Sequence, residues 1–277
     1  MLGLEMLNQD QIDEFRTKGF LLSRCVVSRS QANVLNDEID RVLAAQNTDK
    51  PQPVRLANLA SNPDSVTWQI TNIWEASQPF RELIFNSTIV EEVVQLTRAQ
   101  QLRVWHDQVQ FKLAERGGIT DWHQDSPCWP ILTPKTCQVT AWVALDDADA
   151  SNGCMSMVAG AYHWGDQIEF LRRIQDFDGM PTAFQDRNLQ VELCPVPAGH
   201  VHYHHGLTWH GSHANTSARP RRAIAIHYMT GETRYDSSGN HTMKPFVNVN
   251  DGEVLAGEHF PLVWDDGKLM RPNTNPP

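Results

Sequence analysis

From about residue 102 the chain changes texture, and that change limits the possible fold more than any other feature. The runs "LRVWHDQVQFKLAE", "CQVTAWVALDD", "CMSMVAG", "LQVELCPVP", "HVHYHHG" and "RRAIAIHYMTG" are short, rich in β-branched residues and separated by turn residues. Strands of this length and spacing predict a β-sandwich or barrel. The first hundred residues read differently. Residues 10–17 predict a helix stopped near Gly19, and "FLLSRCVV" predicts a short strand. Ala32, Leu35, Ile39 and Leu43 recur at i, i+3, i+4 spacing and predict a second helix capped by Ser28 or Ser30. The polar, proline-broken residues 47–66 predict a loop, and "SQPFRELIFNSTIVEEVVQLT" one or two further helices. Between the β runs, "YHWGDQIEFLRRIQDFDGM" predicts a helical insertion near 162–185. The expected organisation is one domain over 1–277. It has a mostly helical N-terminal part (1–100), a β core (101–232) and a C-terminal segment (233–277) able to act as a lid.

Charge and cysteine usage narrow the function classes. A net charge of −10 argues against general nucleic-acid binding, which needs a basic surface. The longest apolar runs span only a few residues, so no membrane span is expected, and "MLGLEMLNQDQIDEF" lacks the layout of a secretory signal. The five cysteines (Cys25, Cys128, Cys137, Cys154 and Cys194) are scattered and never paired as C-x-x-C. Free thiols in a reducing, cytoplasmic setting are the simplest account. The expected partner is a small molecule; oligomeric state is not legible in the sequence.

The stretch "TDWHQDSPCWP" sets His123 and Asp125 two residues apart. On an extended strand such residues share a face, whereas on a helix they diverge. An extended H-x-D can therefore converge on a metal ion, which needs a third ligand from elsewhere. Of the seven histidines between 200 and 227, His210 is the best third ligand, because "GSHANTSARP" follows it as a turn and "RRAIAIHYM" as a strand expected to return beside it. Arg221 opens that strand eleven positions on. A buried arginine near a metal is costly unless it meets an anion, and a guanidinium matches a carboxylate through two parallel hydrogen bonds. Two imidazoles and one carboxylate leave three open positions on an octahedral ion, the facial triad of non-haem Fe(II) oxygenases. A 2-oxoacid fills two of them through its ketone and C1 carboxylate, its far carboxylate reaches Arg221, and the third position is left for O₂. Oxidative decarboxylation would then yield an oxidant strong enough for an unactivated C–H bond.

In these residues the chain resembles the phytanoyl-CoA dioxygenase family of Fe(II)/2-oxoglutarate enzymes. The resemblance begins at "LNQDQIDEFRTKGFLLSRCVVS" and continues through "FKLAERGGITDWHQDSP" and "TAWVALDDADASNGCMSMVAGAYHW". It ends with "PAGHVHYHHGLTWHGSHANTSARPRRAIAIHY". It implies a double-stranded β-helix, a cupin-like jelly roll of two antiparallel sheets with flanking helices. It implies His123, Asp125 and His210 as iron ligands and Arg221 as the anchor of 2-oxoglutarate. Ser212 and Trp142 would assist the co-substrate, with Lys112 and Gln108 as further contacts. Related iron halogenases replace the carboxylate with a small residue; Asp125 is present here, so hydroxylation is favoured over halogenation.

Other residues carry blander expectations. His200, His202, His204 and His205 read as packing or surface residues on an alternating strand, and His213 and His227 likewise before any substrate role. Arg221, Ala223, Ala225 and His227 share one strand face, and Arg222, Ile224, Ile226 and Tyr228 the other. Alternation does not say which face is inward, and the family register selects Arg221 over Arg219 and Arg222. Asp146 and Asp147 read as a strand end, and "NGC" at 152–154 as a turn. Tryptophans default to core packing; Trp129 is the best candidate to line a substrate pocket, followed by Trp74 and Trp164. The expected activity is hydroxylation of a small metabolite or natural-product intermediate, with release of succinate and CO₂. An acyl-CoA 2-hydroxylase is the alternative within the family. A zinc hydrolase using the same three ligands and a non-catalytic binding module are the alternatives outside it.

Overall fold

A computed structural model of the chain describes residues 6–59, 64–174 and 176–272. Two antiparallel sheets face each other across a jelly-roll core. The main sheet runs in the order Phe20–Cys25, His200–His205, Gln138–Ala144, Arg221–Thr230, Gln101–Lys112, Leu262–Asp265, Lys268–Leu269, with Thr67–Thr71 also paired to Gln101–Lys112. The smaller sheet runs Val191–Cys194, Met155–Val158, His210–Ser212, Thr120–His123.

Period-2 alternation explains how the main sheet serves two layers. Ala223, Ala225, Trp142 and Ala144 point between the sheets, where they pack with Met155, Met157 and Phe20. Ile224, Ile226, Val139, Ala141 and Val143 point the other way, into one apolar cluster with the N-terminal helices. All seven residues of Gln138–Ala144 are therefore buried, as expected of a strand covered on both faces.

The helices Gln9–Lys18, Arg29–Ala44, Gln78–Ile84 and Ser87–Thr97 cover that outer face. Ser28 caps the second helix: its side chain accepts from Gln31 N while the Gln31 side chain accepts from Ser28 N. Leu35 and Ile39 are buried as expected, each worth about 1.5–3 kcal/mol against exposure. Val42, rather than Leu43, completes the buried stripe. Glu92, fully buried on the fourth helix, accepts from Ser23 Oγ and Tyr203 OH, each at 2.8 Å, through one carboxylate oxygen, and its other oxygen forms an ion pair with Arg24 Nε at 2.9 Å. Removing it takes the acceptor from the two buried hydroxyls of Ser23 and Tyr203 and one carboxylate from Arg24. Glu92→Ala is accordingly expected to lower unfolding stability by about 3 kcal/mol, read as a shifted urea midpoint; an unchanged midpoint would refute the coupling of helix to sheet through this residue.

Two local expectations are corrected. Within 47–66, Arg55–Asn58 forms an edge strand on Thr67–Thr71, held by backbone pairing that its non-alternating side chains do not advertise. The segment 162–185 is not one helix. It breaks into the turns Ala161–Trp164, Ile168–Leu171 and Phe177–Gly179 and a hairpin strand at Ala183–Phe184. Gly165 at φ +72° interrupts it, and Phe170 and Phe177 are drawn to separate aromatic partners, Trp209 and Trp122. The C-terminal segment is docked: Arg234–Tyr235 pairs with Leu132–Thr133, and Leu262–Asp265 extends the main sheet. Among the described residues no helix is long and apolar enough to cross a membrane.

Candidate functional site

His123 ends the strand Thr120–His123, and His210 begins the strand His210–Ser212 directly opposite it in an antiparallel pair. Directly opposed residues bring their side chains within contact distance, and the two imidazole centroids lie 4.1 Å apart. Trp122 faces the other way and stacks on Phe177. Asp125 is not on the strand. The chain turns after His123, and Asp125 has helical angles (φ −67°, ψ −58°) at the head of the turn Ser126–Cys128. The predicted convergence is found, but a strand end followed by a turn produces it rather than a shared strand face. The buried Gln124 side chain secures that turn by donating to the carbonyls of Leu207 (2.6 Å) and Gly165 (2.9 Å).

Hydrogen bonds aim the three side chains at a common point. His123 Nδ1 lies 2.7 Å from Asp121 O, and His210 Nδ1 lies 3.0 Å from Thr208 O. A carbonyl can only accept, so each Nδ1 carries the proton and each Nε2 presents a lone pair. Those Nε2 atoms lie 3.8 and 3.7 Å from Asp125 Oδ1. The other carboxylate oxygen is occupied: Thr140 Oγ1 donates to Oδ2 at 2.7 Å, and His204 Nε2 donates to it at 3.0 Å. One nitrogen from each histidine and one Asp125 oxygen thus stand within 4.8 Å of one another, the donor set and second-layer support typical of a metal centre. Burial works against the Asp125 carboxylate, but His210, His204 and His227 outweigh it and hold it well below the usual range. Burial, with His123 adding to it, pushes His210 well below the ordinary imidazole value. A neutral imidazole beside an ionised carboxylate is the state in which both bind a cation.

A second cluster sits on the inner face of the main sheet. Arg221 and Lys112 are cross-strand partners, 1% and 0% exposed. Arg221 Nη1 donates to Gln110 O at 3.2 Å, its Nε has no partner among the described residues, and its guanidinium lies 5.5 Å from the Trp142 ring. Lys112 Nζ donates to Ser212 Oγ at 2.7 Å and to the carbonyls of Ser212 and His213. Burial pushes Arg221 down to about 10, and burial with Arg221 nearby pushes Lys112 well below its ordinary value. Among the described residues no carboxylate forms an ion pair with either, although the charge of Asp146 is felt at Arg221; two buried cations so placed make a strong anion site. The strand that carries Arg221 belongs to the main sheet, not to the sheet of His210, so the expectation that the two strands are neighbours is corrected. Lys112, the cross-strand partner of Arg221, reaches Ser212 on the strand of His210 because the sheets face each other.

A small cavity beside the metal cluster is lined by His123, Asp125, His210, Trp142, Ser212 and Gln110, among others; Arg221 and Lys112 lie behind this lining, in contact with Gln110 and Trp142 and with Ser212. Gln108 is on the same strand face as Gln110 but does not line it. Trp129 is buried with its ring 4.8 Å from that of His227. Trp74 and Trp164 lie elsewhere: Trp74 is in the helix-side core, and Trp164 packs on Trp209 and Phe184 in the insertion. Three site residues were missed. His204, expected to pack or lie on the surface, bonds Asp125. Thr140 shares the strand face of Trp142, and alternation from that residue would have found it. His227 Nδ1 lies 2.8 Å from Thr140 Oγ1.

The family model described as Phytanoyl-CoA dioxygenase (PhyH) matches residues 15–223. A Caenorhabditis briggsae "Phytanoyl-CoA dioxygenase domain-containing protein 1 homolog" is 29% identical over 171 residues, 58% of either chain. The match thus spans less than two thirds of that relative's length. A solved "non-heme alpha ketoglutarate dependent carbocyclase SnoK from nogalamycin biosynthesis" superposes with a TM-score of 0.75 at 25% identity, covering 92% of this chain and 96% of that one. The epimerase SnoN, solved with Fe3+, alpha ketoglutarate and nogalamycin RO, gives a TM-score of 0.73 at 21% identity, covering 92% and 97%; at that identity the likeness is one of fold.

Proposed function

Because the chain belongs to the phytanoyl-CoA dioxygenase family, we propose that it is an Fe(II)- and 2-oxoglutarate-dependent dioxygenase acting as one domain and hydroxylating a C–H bond of a small organic molecule. The reading is carried by two convergent features: two Nε2 lone pairs and one free carboxylate oxygen aimed at one point, and a buried Arg221–Lys112 pair on the facing sheet that has no ion pair among the described residues. His123, Asp125 and His210 hold the iron. Arg221, with Lys112 and Ser212, receives the far carboxylate of 2-oxoglutarate, and Trp142 backs the guanidinium. When bound, Fe(II) with 2-oxoglutarate and O₂ supplies the oxidising power, released with succinate and CO₂. The chain's own part is to fix the ligand tautomers, to keep Asp125 ionised through Thr140 and His204, and to hold the co-substrate in one orientation.

The deciding experiment is anaerobic addition of Fe(II) and then 2-oxoglutarate to the purified chain. A weak visible charge-transfer band, followed by substrate-dependent succinate formation on admitting air, is expected. Activity with zinc alone and no band with iron would favour the hydrolase reading. Asp125 Oδ2 gives a finer test. Thr140→Val keeps the shape but removes one of its two donors, and is expected to weaken Fe(II) binding about 10–100-fold while leaving the 2-oxoglutarate requirement unchanged. Unaltered iron affinity would refute the positioning role of Thr140.

A further inference from the structure

The inner face of the main sheet does not end at the metal cluster. Past Arg221–Thr230 it continues across Gln101–Lys112 and Thr67–Thr71 to the edge strand Arg55–Asn58. Register fixes which residues share that face. Gln110 stands opposite Gln69, and Gln108 stands opposite Thr71, which in turn pairs with Arg55. Gln110 is two residues from Lys112 and its side chain meets that of Trp142, so this is the face that looks toward the metal cluster. Both ends of it are covered. Ser212 of the smaller sheet bonds Lys112, and His241 of the C-terminal segment packs on His106 with ring centroids 5.7 Å apart. Between those covers Gln69, Gln108 and Gln110 stay half-buried and Arg55 is exposed. Gln110 also lines the small cavity shared by His123, Asp125 and His210.

Hydrogen bonds turn the two facing amides the same way round. The Trp142 indole N–H donates to Gln110 Oε1 at 3.1 Å. The strand between them carries only Ala225 and Ala223 opposite these residues, which leaves the path clear. Arg55 Nη1 donates to Gln69 Oε1 at 3.2 Å. An indole N–H and a guanidinium can only donate, so each amide oxygen is the acceptor and each NH₂ group is the end left over. Neither Nε2 has a hydrogen-bond partner among the described residues. Arg55 forms no ion pair among them, and its charge is felt at His241. Directly opposed side chains on one face stand about 4.5–5.5 Å apart at Cβ, so the two NH₂ groups are neighbours. Together with the guanidinium they make a patch of donors that has no acceptor left of its own. A hydroxyl uses such a patch poorly, because its proton finds no acceptor there. A carboxylate uses it fully, with two accepting oxygens and one negative charge against one guanidinium. A dianionic phosphate brings a second charge that a single arginine does not balance.

We infer that the Gln69–Gln110 pair, with Arg55 beside it, recognises the substrate, and that the substrate carries a carboxylate held there while its reacting carbon reaches into the metal cavity. The inference rests on the dioxygenase reading for the reaction but not for the binding. It gives the chain's cationic groups separate tasks. The buried Arg221 and Lys112 take the co-substrate, and the half-buried donors at the rim take the substrate.

Equilibrium dialysis under anaerobic conditions tests it, on protein loaded with Fe(II) and saturated with 2-oxoglutarate so that Arg221 and Lys112 are occupied. The probes are 1-naphthoate, its neutral isostere 1-naphthamide, and 1-naphthyl phosphate. 1-Naphthoate is expected to bind about tenfold or more tighter than either of the others, the equivalent of one charge-assisted hydrogen bond. Gln69→Glu keeps the oxygen that Arg55 uses and exchanges the NH₂ group for a second oxygen, and is expected to reverse the order of acid and amide. Gln69→Leu removes the donor without adding charge and is expected to cut the preference about threefold or more. Thermal melting guards both variants against misfolding, and their 2-oxoglutarate affinity, read from the visible band, is expected to match the parent's. Equal or undetectable binding of acid and amide, tighter binding of the phosphate, or a Gln69→Leu protein that keeps the full preference overturns the inference. So does a weakened 2-oxoglutarate affinity in Gln69→Leu, which would assign the amide to the co-substrate. Absence of the visible band in the parent would overturn the dioxygenase reading, while the choice between acid and amide would remain measurable without it.

Discussion

His210→Ala abolishes 2-oxoglutarate-dependent succinate formation, by about a thousandfold or more, on the scale at which deleting one member of a catalytic unit acts. The effect is expected to be large because no other described side chain can take its place. His204 lies nearby, its ring 4.5 Å from that of His210, but its Nε2 is committed to Asp125 Oδ2. The fold is expected to survive. His210 is held by backbone pairing to His123 and Met157, and alanine keeps that ladder. Three measurements separate chemistry from stability: succinate yield, the visible iron band and thermal melting. Near-normal turnover would refute the ligand assignment. A lost fold would be answered by His210→Gln, which fills the space without supplying an imidazole.

Arg221→Ala raises the 2-oxoglutarate requirement by about 100-fold with a smaller effect on kcat. Truncating one partner of a buried, hydrogen-bonded charge pair costs about 2–5 kcal/mol, and each 1.4 kcal/mol is tenfold. Lys112 remains and holds the effect short of complete loss. Arg221→Lys is expected to recover little, because an ammonium lacks the planar fork. This prediction has a second readout. Arg221 is a buried cation whose ionised form is disfavoured by burial, so the variant without co-substrate should be no less stable than the parent. Added 2-oxoglutarate should raise the melting temperature of the parent and not of the variant. An unchanged requirement would assign the anchor to another residue.

The period-2 runs after residue 102 made the two-sheet architecture legible, and the capped amphipathic pattern of 29–44 made its helix legible, because both signals are local. The insertion was misread for the same reason. "IEFLRRIQDF" has helical spacing, but its aromatic residues find separate partners across the fold, and tertiary packing overrides propensity. His204 looked like one histidine among several, since nothing in "HVHYHH" says that the strand's inner face meets Asp125. Trp74 stood behind Trp129 as a candidate to line a pocket; only the layering puts one behind the main sheet and the other in front of it.

Residue chemistry along the chain was enough to nominate two imidazoles, a carboxylate and a guanidinium, because ligand types and strand alternation are written one residue at a time. Which sheet carries each of them and which carboxylate oxygen stays free were decided only when the sheets closed on each other. Those properties belong to contacts between segments as much as a hundred residues apart, and a hydrogen bond has a direction only once both its ends are in place.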